Sequence, residues 1–301
     1  MEIYLPIAEV PINIFVLLIL GLFAGISSGL FGIGGGFIMT PMLIFLGISP
    51  AVAVASSANQ IVASSFSGFL AYAKKRNVDF KIGFILILGG FLGSSIGIYI
   101  FNLLKSFGQI DLVISFSYII ILGSIGMLMG IESVKSILGI KNKETKSIDP
   151  KDSLFSKLPW QVYFPKSEME MSILIPIFTS LFIGILVSIM GIGGGFLMIP
   201  AMIYIFKMPT NVVIGTSLFQ VIFVTANVTI LHAVSTHSVD IVLALILLIS
   251  SVIGAQLGTR LGSKIAAEKL RAMLALIIMV MVIKLVTGFI QTPDNLFEII
   301  G

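Results

Sequence analysis

Two glycine-rich breaks carry the strongest chemical signal in this sequence. Gly-Ile-Gly-Gly-Gly occurs at 32–36 and again at 191–195, each time within an apolar stretch. Glycine in a helix costs about 1 kcal/mol relative to alanine, so consecutive glycines predict a broken helix. The helix that restarts after each break presents free N–H groups and a positive dipole end, which favour an anion. The residues predicted to bind it here are Gly34, Gly35, Gly36, Phe37, Gly193, Gly194, Gly195 and Phe196. Tight helix packing through small residues is the alternative interpretation.

Two clusters of neutral polar side chains follow these breaks. They lie in apolar stretches, where amides and hydroxyls need partners or water. Neutral donors suit an anion that must bind and then leave, so we predict that they line the same site. Hydrogen bonds that only hold helices together are the alternative. The clustered residues are Ser56, Ser57, Asn59 and Gln60 in the first half, and Thr216, Ser217, Gln220 and Asn227 in the second.

Enzymatic chemistry has little support. The chain has no cysteine and two histidines, which excludes thiol chemistry and disulfides. Residues 25–29 match G-x-S-x-G around Ser27, but a nucleophile elbow needs a strand–turn–helix context, and the second half has Leu186 at that position. We therefore predict no catalytic residue, no cofactor, no metal site and no enzyme activity.

Ionisable residues are scarce within the apolar stretches. Lys284 lies near the end of one stretch, where its amine can reach the membrane surface. Asp79 and Asp240 each begin a stretch and are predicted to cap helices. No relay of acidic or histidine side chains is visible, so the sequence gives no sign of proton coupling.

Composition places these residues in a membrane protein. Hydrophobic residues make up 57% of the 301 residues and charged residues 11%, whereas soluble domains carry about 25% charged residues. Runs such as Ile82–Leu104 are long enough to cross a hydrocarbon core as helices. Basic residues cluster in short loops, as membrane orientation requires, so nucleic acid is not an expected partner. The predicted helical segments are 12–30, 34–48, 50–73, 81–104, 108–131, 171–189, 193–207, 209–232, 239–260 and 267–290.

The two glycine breaks belong to an internal duplication. Pro41 recurs as Pro200 (200 − 41 = 159), and Gly93 recurs as Gly254 (254 − 93 = 161). Landmarks in the same order at nearly one offset indicate two copies of one five-segment unit. The predicted organisation is a first membrane repeat at 1–131, a charged linker at 132–170 with a short amphipathic piece near Leu154–Phe164, and a second membrane repeat at 171–301.

Loop charges predict that the second repeat is inverted. Lys74, Lys75 and Arg76 follow the third segment, whereas the equivalent loop, 232–240, has no lysine or arginine. The following loop reverses this, because 260–271 is basic and 104–111 has one lysine. Positive loops face the cytoplasm, so we predict a cytoplasmic linker with both termini outside. The predicted fold class is an all-α polytopic membrane protein with two inverted five-segment repeats and short broken or re-entrant helices at the glycine motifs.

These features resemble the TauE/SafE family of sulfite and sulfonate exporters. The likeness rests on the duplicated Gly-x-Gly-Gly-Gly-Phe-x-x-x-Pro motif, the Ser/Thr-Ser-x-x-Gln element ending at Gln60 and Gln220, and the loop charges. It implies a secondary transporter that exports sulfite, sulfoacetate or a related organosulfonate across the inner membrane. An anion channel with the same fold and a non-transporting membrane scaffold are the alternatives. The expected partners are a small anion and the lipid bilayer, with a homodimer as a candidate assembly.

Overall fold

The computed structural model describes residues 2–137, 159–262, 265 and 267–290. Each of the ten predicted segments overlaps one α-helix. Five of these helices, α1, α4, α5, α8 and α9, are long and apolar enough to cross a membrane, which confirms a polytopic helical membrane protein. The helices are α1 Ile14–Phe31, α2 Gly36–Phe45, α3 Pro50–Lys74, α4 Phe80–Ser106, α5 Ile110–Ile137, α6 Leu174–Met190, α7 Gly195–Pro200, α8 Thr210–Ser235, α9 Ile241–Gly262 and α10 Ala267–Ile290.

The helices that follow the glycine breaks are short. α2 has ten residues, and α7 has six before the chain passes into a π-helix, Ala201–Ile205. Pro200 lies at this change. Because proline cannot donate a backbone hydrogen bond, it disturbs the regular ladder at this point. Both short helices therefore end well before a full membrane crossing, as a broken helix requires.

Two β-hairpins depart from the all-α prediction. β1 (Glu2–Leu5) pairs with β2 (Val10–Asn13) directly before α1, and β3 (Gln161–Phe164) pairs with β4 (Met169–Ser172) before α6. Each hairpin buries one side, through Leu5 and Ile12 in the first and through Phe164 and Met171 in the second. Each strand has four residues, too few for alternation to stand out in the sequence. The hairpins thus repeat between the halves like the helices do.

The predicted linker is only partly described. α5 continues to Ile137, beyond the predicted segment end, and the second hairpin occupies 161–172. Residues 138–158, which include the first five residues of the predicted amphipathic piece, lie outside the described residues. The last residues of that piece, Gln161–Phe164, form β3.

Small residues bring helices from different halves close together. Gly25 of α1 lies against the backbone of Ser251 in α9, and Gly29 lies against that of Ala255. Residue numbers rise together along both helices, so α1 and α9 run parallel. The equivalent contacts between α4 and α6 are Gly93 with Leu181 and Gly97 with Ile185. Each half therefore completes its packing on the other.

The remaining pairs bring equivalent helices together. Gly126 of α5 lies near Ile278 of α10, whereas Gly123 lies near Val282, so these two helices run antiparallel. α3 packs against α8 between the other pairs. The polar clusters predicted on α3 and α8 therefore lie at the centre of the molecule.

Candidate functional site

Both predicted glycine breaks are present. α1 ends where Gly32 adopts the left-handed conformation, and α6 ends in the same way at Gly191. The backbone stays irregular until α2 begins at Gly36 and α7 begins at Gly195. No side chain caps either new helix at Gly35 or Gly194. We call residues 32–36 the first tip and residues 191–195 the second tip.

The two tips are in contact with each other. A Cβ atom added to Gly36 would lie 2.6 Å from the carbonyl oxygen of Gly191, and one added to Gly195 would lie 2.7 Å from that of Ile33. Both distances are too short for any side chain, so glycine is required at these two crossing points. Phe37 stacks on Phe196 with ring centroids 5.2 Å apart, next to this crossing. The structure therefore brings the two predicted motifs to one place inside the protein.

Hydroxyl groups hold the tips in place. Ser64 donates to the carbonyl oxygen of Gly34 at 3.1 Å, and Ser217 donates to that of Gly32 at 3.4 Å. Thr40 lies 2.7 Å from Ser57, oxygen to oxygen, and reaches the carbonyl oxygen of Gly191. Ser57 and Ser217, predicted to bind the anion, thus contact the tips or their direct neighbours. Ser64 and Thr40 were not predicted.

Several buried polar atoms of α1, α3 and α8 have no partner. Among the described residues these are Ser28 Oγ, Ser65 Oγ, Gln60 Oε1, Gln220 Nε2 and Gln220 Oε1. All four side chains are fully buried. A buried polar group without a hydrogen bond costs about 1–3 kcal/mol, so native proteins rarely keep one. Such a group calls for a water molecule or a ligand as its partner. The four side chains therefore form the polar part of the candidate site.

Two of these side chains, Gln60 and Ser65, can be tied to the first tip. Gln60 Nε2 donates to Ser64 at 3.4 Å, and Ser64 holds Gly34. Ser65 Oγ lies 3.1 Å from the position that a Cβ atom on Gly34 would occupy. Gln220 faces α4, where its Nε2 lies 3.3 Å from the equivalent position on Gly90. Gln60 and Gln220 were predicted from the sequence, whereas Ser28 and Ser65 were missed.

Comparison with known proteins decides the family. The family model described as "Sulfite exporter TauE/SafE" matches residues 17–285, which include both tips. The chain belongs to the TauE/SafE family. It is therefore a membrane transporter of that family and not an enzyme.

Relatives of this TauE/SafE protein carry matching descriptions. YunE of Bacillus subtilis, described as a probable membrane transporter protein, is 31% identical over 230 residues, which are 74% of this chain and 79% of YunE. YjnA of the same organism, with the same description, is 29% identical over 273 residues, 90% of this chain and 98% of YjnA. A sulfite exporter TauE/SafE family protein of Arabidopsis thaliana is 26% identical over 123 residues, 40% of this chain and 26% of that protein. No solved structure matches the chain.

In this TauE/SafE protein, Ser56 and Thr216 hold helix starts in the opposite half. Ser56 Oγ accepts a hydrogen bond from the backbone N–H of Asp240 at 3.0 Å, and Thr216 Oγ1 accepts one from that of Asp79 at 2.9 Å. These hydroxyl oxygens are already engaged by protein. Their geometry supports a role in the frame around the site, in place of the predicted contact with the anion.

The two aspartates cap α4 and α9, as the sequence predicted. Asp79 accepts from the N–H groups of Lys81 and Ile82, and Asp240 accepts from that of Leu243. Their second carboxylate oxygens bind the hairpins: Asp79 accepts from the hydroxyl of Ser167 at 2.7 Å. Asp240 instead accepts from the backbone N–H groups of Ile7 and Ala8, at 2.9 and 3.3 Å. Each hairpin is thereby fixed to a helix start of the other half.

The difference between the two carboxylates leads to a prediction. In Asp240→Asn, the new NH₂ group would face two backbone N–H donors that cannot turn away, so we expect about 1–3 kcal/mol of lost stability. In Asp79→Asn, the Ser167 hydroxyl can rotate and accept instead, so the loss should be clearly smaller. Thermal unfolding in detergent measures both, with the exposed Glu9→Gln as the control for removing a carboxylate. Equal losses in the two variants would contradict this account.

Neither of the two predicted asparagines has a hydrogen bond to a tip among the described residues. Asn227 donates to the hydroxyl of Ser94 at 2.8 Å and so joins α8 to α4. Asn59 is only partly buried, and none of the hydrogen bonds found among the described residues involves it. For Asn227, the geometry favours the alternative interpretation, a helix contact in place of anion binding.

His232 is engaged by its own surroundings. Its Nε2 lies 3.0 Å from the carbonyl oxygen of Ser188, and its Nδ1 lies 3.4 Å from the hydroxyl of Thr236. Neither contact involves Ser27, the serine of the G-x-S-x-G match. Within the described part of the chain, no three histidine, aspartate or glutamate side chains cluster in a way that could hold a metal ion.

Proposed function

We propose that this TauE/SafE protein is a secondary transporter that exports a small sulfur-containing anion across the inner membrane. The candidate anions are sulfite, sulfoacetate and related organosulfonates. The observation that carries the proposal is the crossing of two uncapped tips beside buried amides and hydroxyls without partners. Unwound backbone at membrane depth is tolerated where protein surrounds it or where it lines a site. The printed name of the Arabidopsis thaliana relative agrees with a sulfur oxyanion.

The proposed mechanism is alternating access between two inverted repeats. In five-helix units, α1 and α9 point the same way only if the second repeat enters the membrane in the opposite sense, and their parallel packing supports this. The antiparallel contact of α5 with α10 supports it as well. On the basis of the loop charges and this arrangement, we propose a cytoplasmic linker at 132–170 between repeats at 1–131 and 171–301, with both termini outside. Rocking of one repeat against the other would expose the tips to each side in turn.

The chemistry of the site suits release as well as binding. Helices α1 and α2 and the membrane-embedded part of α3 carry no charged side chain, so amides, hydroxyls and backbone N–H groups would bind the anion. Neutral donors bind an anion less tightly than arginine or lysine does, and a weakly bound anion leaves more easily. Export is also favoured by the membrane potential, by about 2.3 kcal/mol per negative charge at 100 mV.

The proposal is tested with purified protein in detergent and in liposomes. A true ligand at 100 times its Kd should stabilise the protein by about 2.7 kcal/mol, so we expect sulfite or an organosulfonate to raise the melting temperature more than sulfate or acetate. In liposomes preloaded with the unlabelled anion, a carrier should accumulate the labelled anion by counterflow. Flux without counterflow or saturation would indicate a channel. If none of these anions stabilises the protein or crosses the membrane, a non-transporting membrane scaffold is the remaining interpretation.

A further inference from the structure

We infer that the charged group of the anion is bound at the start of α2, between Ser28 and Ser65, and that the uncharged part of the anion faces the second tip. The inference rests on the proposed transport of an anion and specifies how that anion lies in the site.

The first tip offers hydrogen-bond donors that nothing in the protein uses. Ser28 Oγ and Ser65 Oγ are fully buried and have no partner. Ser65 Oγ lies 3.1 Å from the position of a Cβ atom on Gly34, and Ser28 Cβ lies 3.4 Å from that on Gly35. Both side chains therefore flank the two residues directly before α2, a ten-residue helix whose N-terminus has no side-chain cap. Free N–H groups, a positive dipole end and two unused hydroxyls together fit an oxyanion.

The second tip lacks the two unused hydroxyls, although it is the equivalent part of the duplication. Val187 stands where the first half has Ser28, and a Cβ atom on Gly194 would meet only methyl groups, the nearest being Val187 Cγ2 at 3.2 Å. Thr225 stands where the first half has Ser65, but its hydroxyl donates to the carbonyl oxygen of Val221 at 2.6 Å. The α7 helix behind this tip is a turn and a half long before it becomes a π-helix. The second tip thus offers an apolar surface.

A site that is polar on one side and apolar on the other selects a ligand of the same kind. Within the proposed class it fits an organosulfonate with one charged end, such as methanesulfonate or butanesulfonate. An anion charged at both ends, such as ethanedisulfonate or sulfoacetate, would place its second charge against the methyl groups of Val187 and Ile183. Burying a charge without partners is costly, so such ligands should bind more weakly.

Matched substitutions in the two halves test the inference. Ser28→Ala and Ser65→Ala should each weaken methanesulfonate binding about tenfold, the factor that one hydrogen bond to a charged group typically provides. Neither variant should lower the melting temperature of the ligand-free protein, because neither hydroxyl has a partner to lose. Thr225→Val should leave the affinity for methanesulfonate unchanged. Affinities are read from the ligand dependence of the melting temperature and checked by counterflow in liposomes.

A second experiment tests the orientation of the anion in the site. The wild-type protein should bind butanesulfonate at least tenfold more tightly than ethanedisulfonate, and Val187→Ser should reduce that ratio. The inference is overturned if the serine variants bind like the wild type, if Thr225→Val weakens binding as much as they do, or if ethanedisulfonate binds more tightly. In all three cases anion transport itself would stand. If the wild type binds and transports no anion, the proposed function fails and this inference with it.

Discussion

Replacing Gly36 with alanine should abolish transport while the protein still inserts into the membrane. The added Cβ atom would lie 2.6 Å from the carbonyl oxygen of Gly191 and 2.9 Å from the carbonyl carbon of Ile192. Both belong to backbone that cannot rotate away, so the two tips must separate. Overpacking of this kind costs about 1–3 kcal/mol, which lowers the melting temperature without preventing folding. Counterflow in liposomes, at equal amounts of inserted protein, measures the loss.

Gly195→Ala and Gly130→Ala complete this experiment. Gly195 makes the reciprocal crossing, where the new atom would lie 2.7 Å from the carbonyl oxygen of Ile33, so its substitution should reproduce the loss. Gly130 lies within α5 with no atom within 4 Å of its Cβ position, so alanine there should leave transport intact. Normal transport by Gly36→Ala would show that the crossing of the tips is unnecessary for function.

Gln220→Met should make the ligand-free protein more stable and less able to bind its anion. Both polar atoms of the Gln220 amide are buried without a partner, a cost of about 1–3 kcal/mol in the absence of ligand. Methionine has a similar shape without these atoms, so the melting temperature should rise. The stabilisation by the anion and the transport rate should fall together. Thermal unfolding with and without ligand, followed by counterflow, measures these three changes.

Asn227→Leu is the matched control for removing an amide. Asn227 lies two turns further along α8 and donates to the hydroxyl of Ser94. Because this amide has a partner, its loss should lower the melting temperature, opposite to the effect of Gln220→Met. A drop in stability for both variants would mean that Gln220 is bonded in the ligand-free protein and is no part of an open site.

The positions of the helices and their breaks could be predicted from the sequence because they depend on local chemistry. Long apolar runs can satisfy their backbone in lipid only as helices, and three adjacent glycines interrupt a helix wherever they occur. Because the motif is duplicated, the same break could be predicted independently in each half. The resemblance to the TauE/SafE family, carried by the same residues, is confirmed by the match over 17–285.

The partners of the polar side chains could not be predicted, because they depend on the packing of distant segments. Ser56 and Thr216 stand beside Gln60 and Gln220 in the sequence, yet their hydroxyls bind the starts of α9 and α4. Ser28 lies in the G-x-S-x-G match, where small residues indicate helix packing, and only the fold brings it beside Gly35. A periodic pattern predicts which face of a helix a residue occupies. It does not predict which residues of other helices pack against that face.

The hairpins were missed for a related reason. A four-residue strand has too few positions to show alternation, and its pairing is stabilised here by a carboxylate in the other half of the chain. The sequence did predict that Asp79 and Asp240 cap helices. It gave no indication that the second oxygen of each carboxylate binds a hairpin.

Because each half packs mainly against the other, folding of the protein cannot be completed until both halves have been synthesised. Ile7 and Asp240 are joined although 233 positions separate them, and α1 meets its main packing partner, α9, only near the end of synthesis. While the ribosome is still translating the later helices, the first half lies in the bilayer with the glycine-containing face of α1 uncovered. Contacts over such separations form slowly. We therefore expect the newly inserted chain to depend on membrane chaperones and to be most open to proteolysis during that interval.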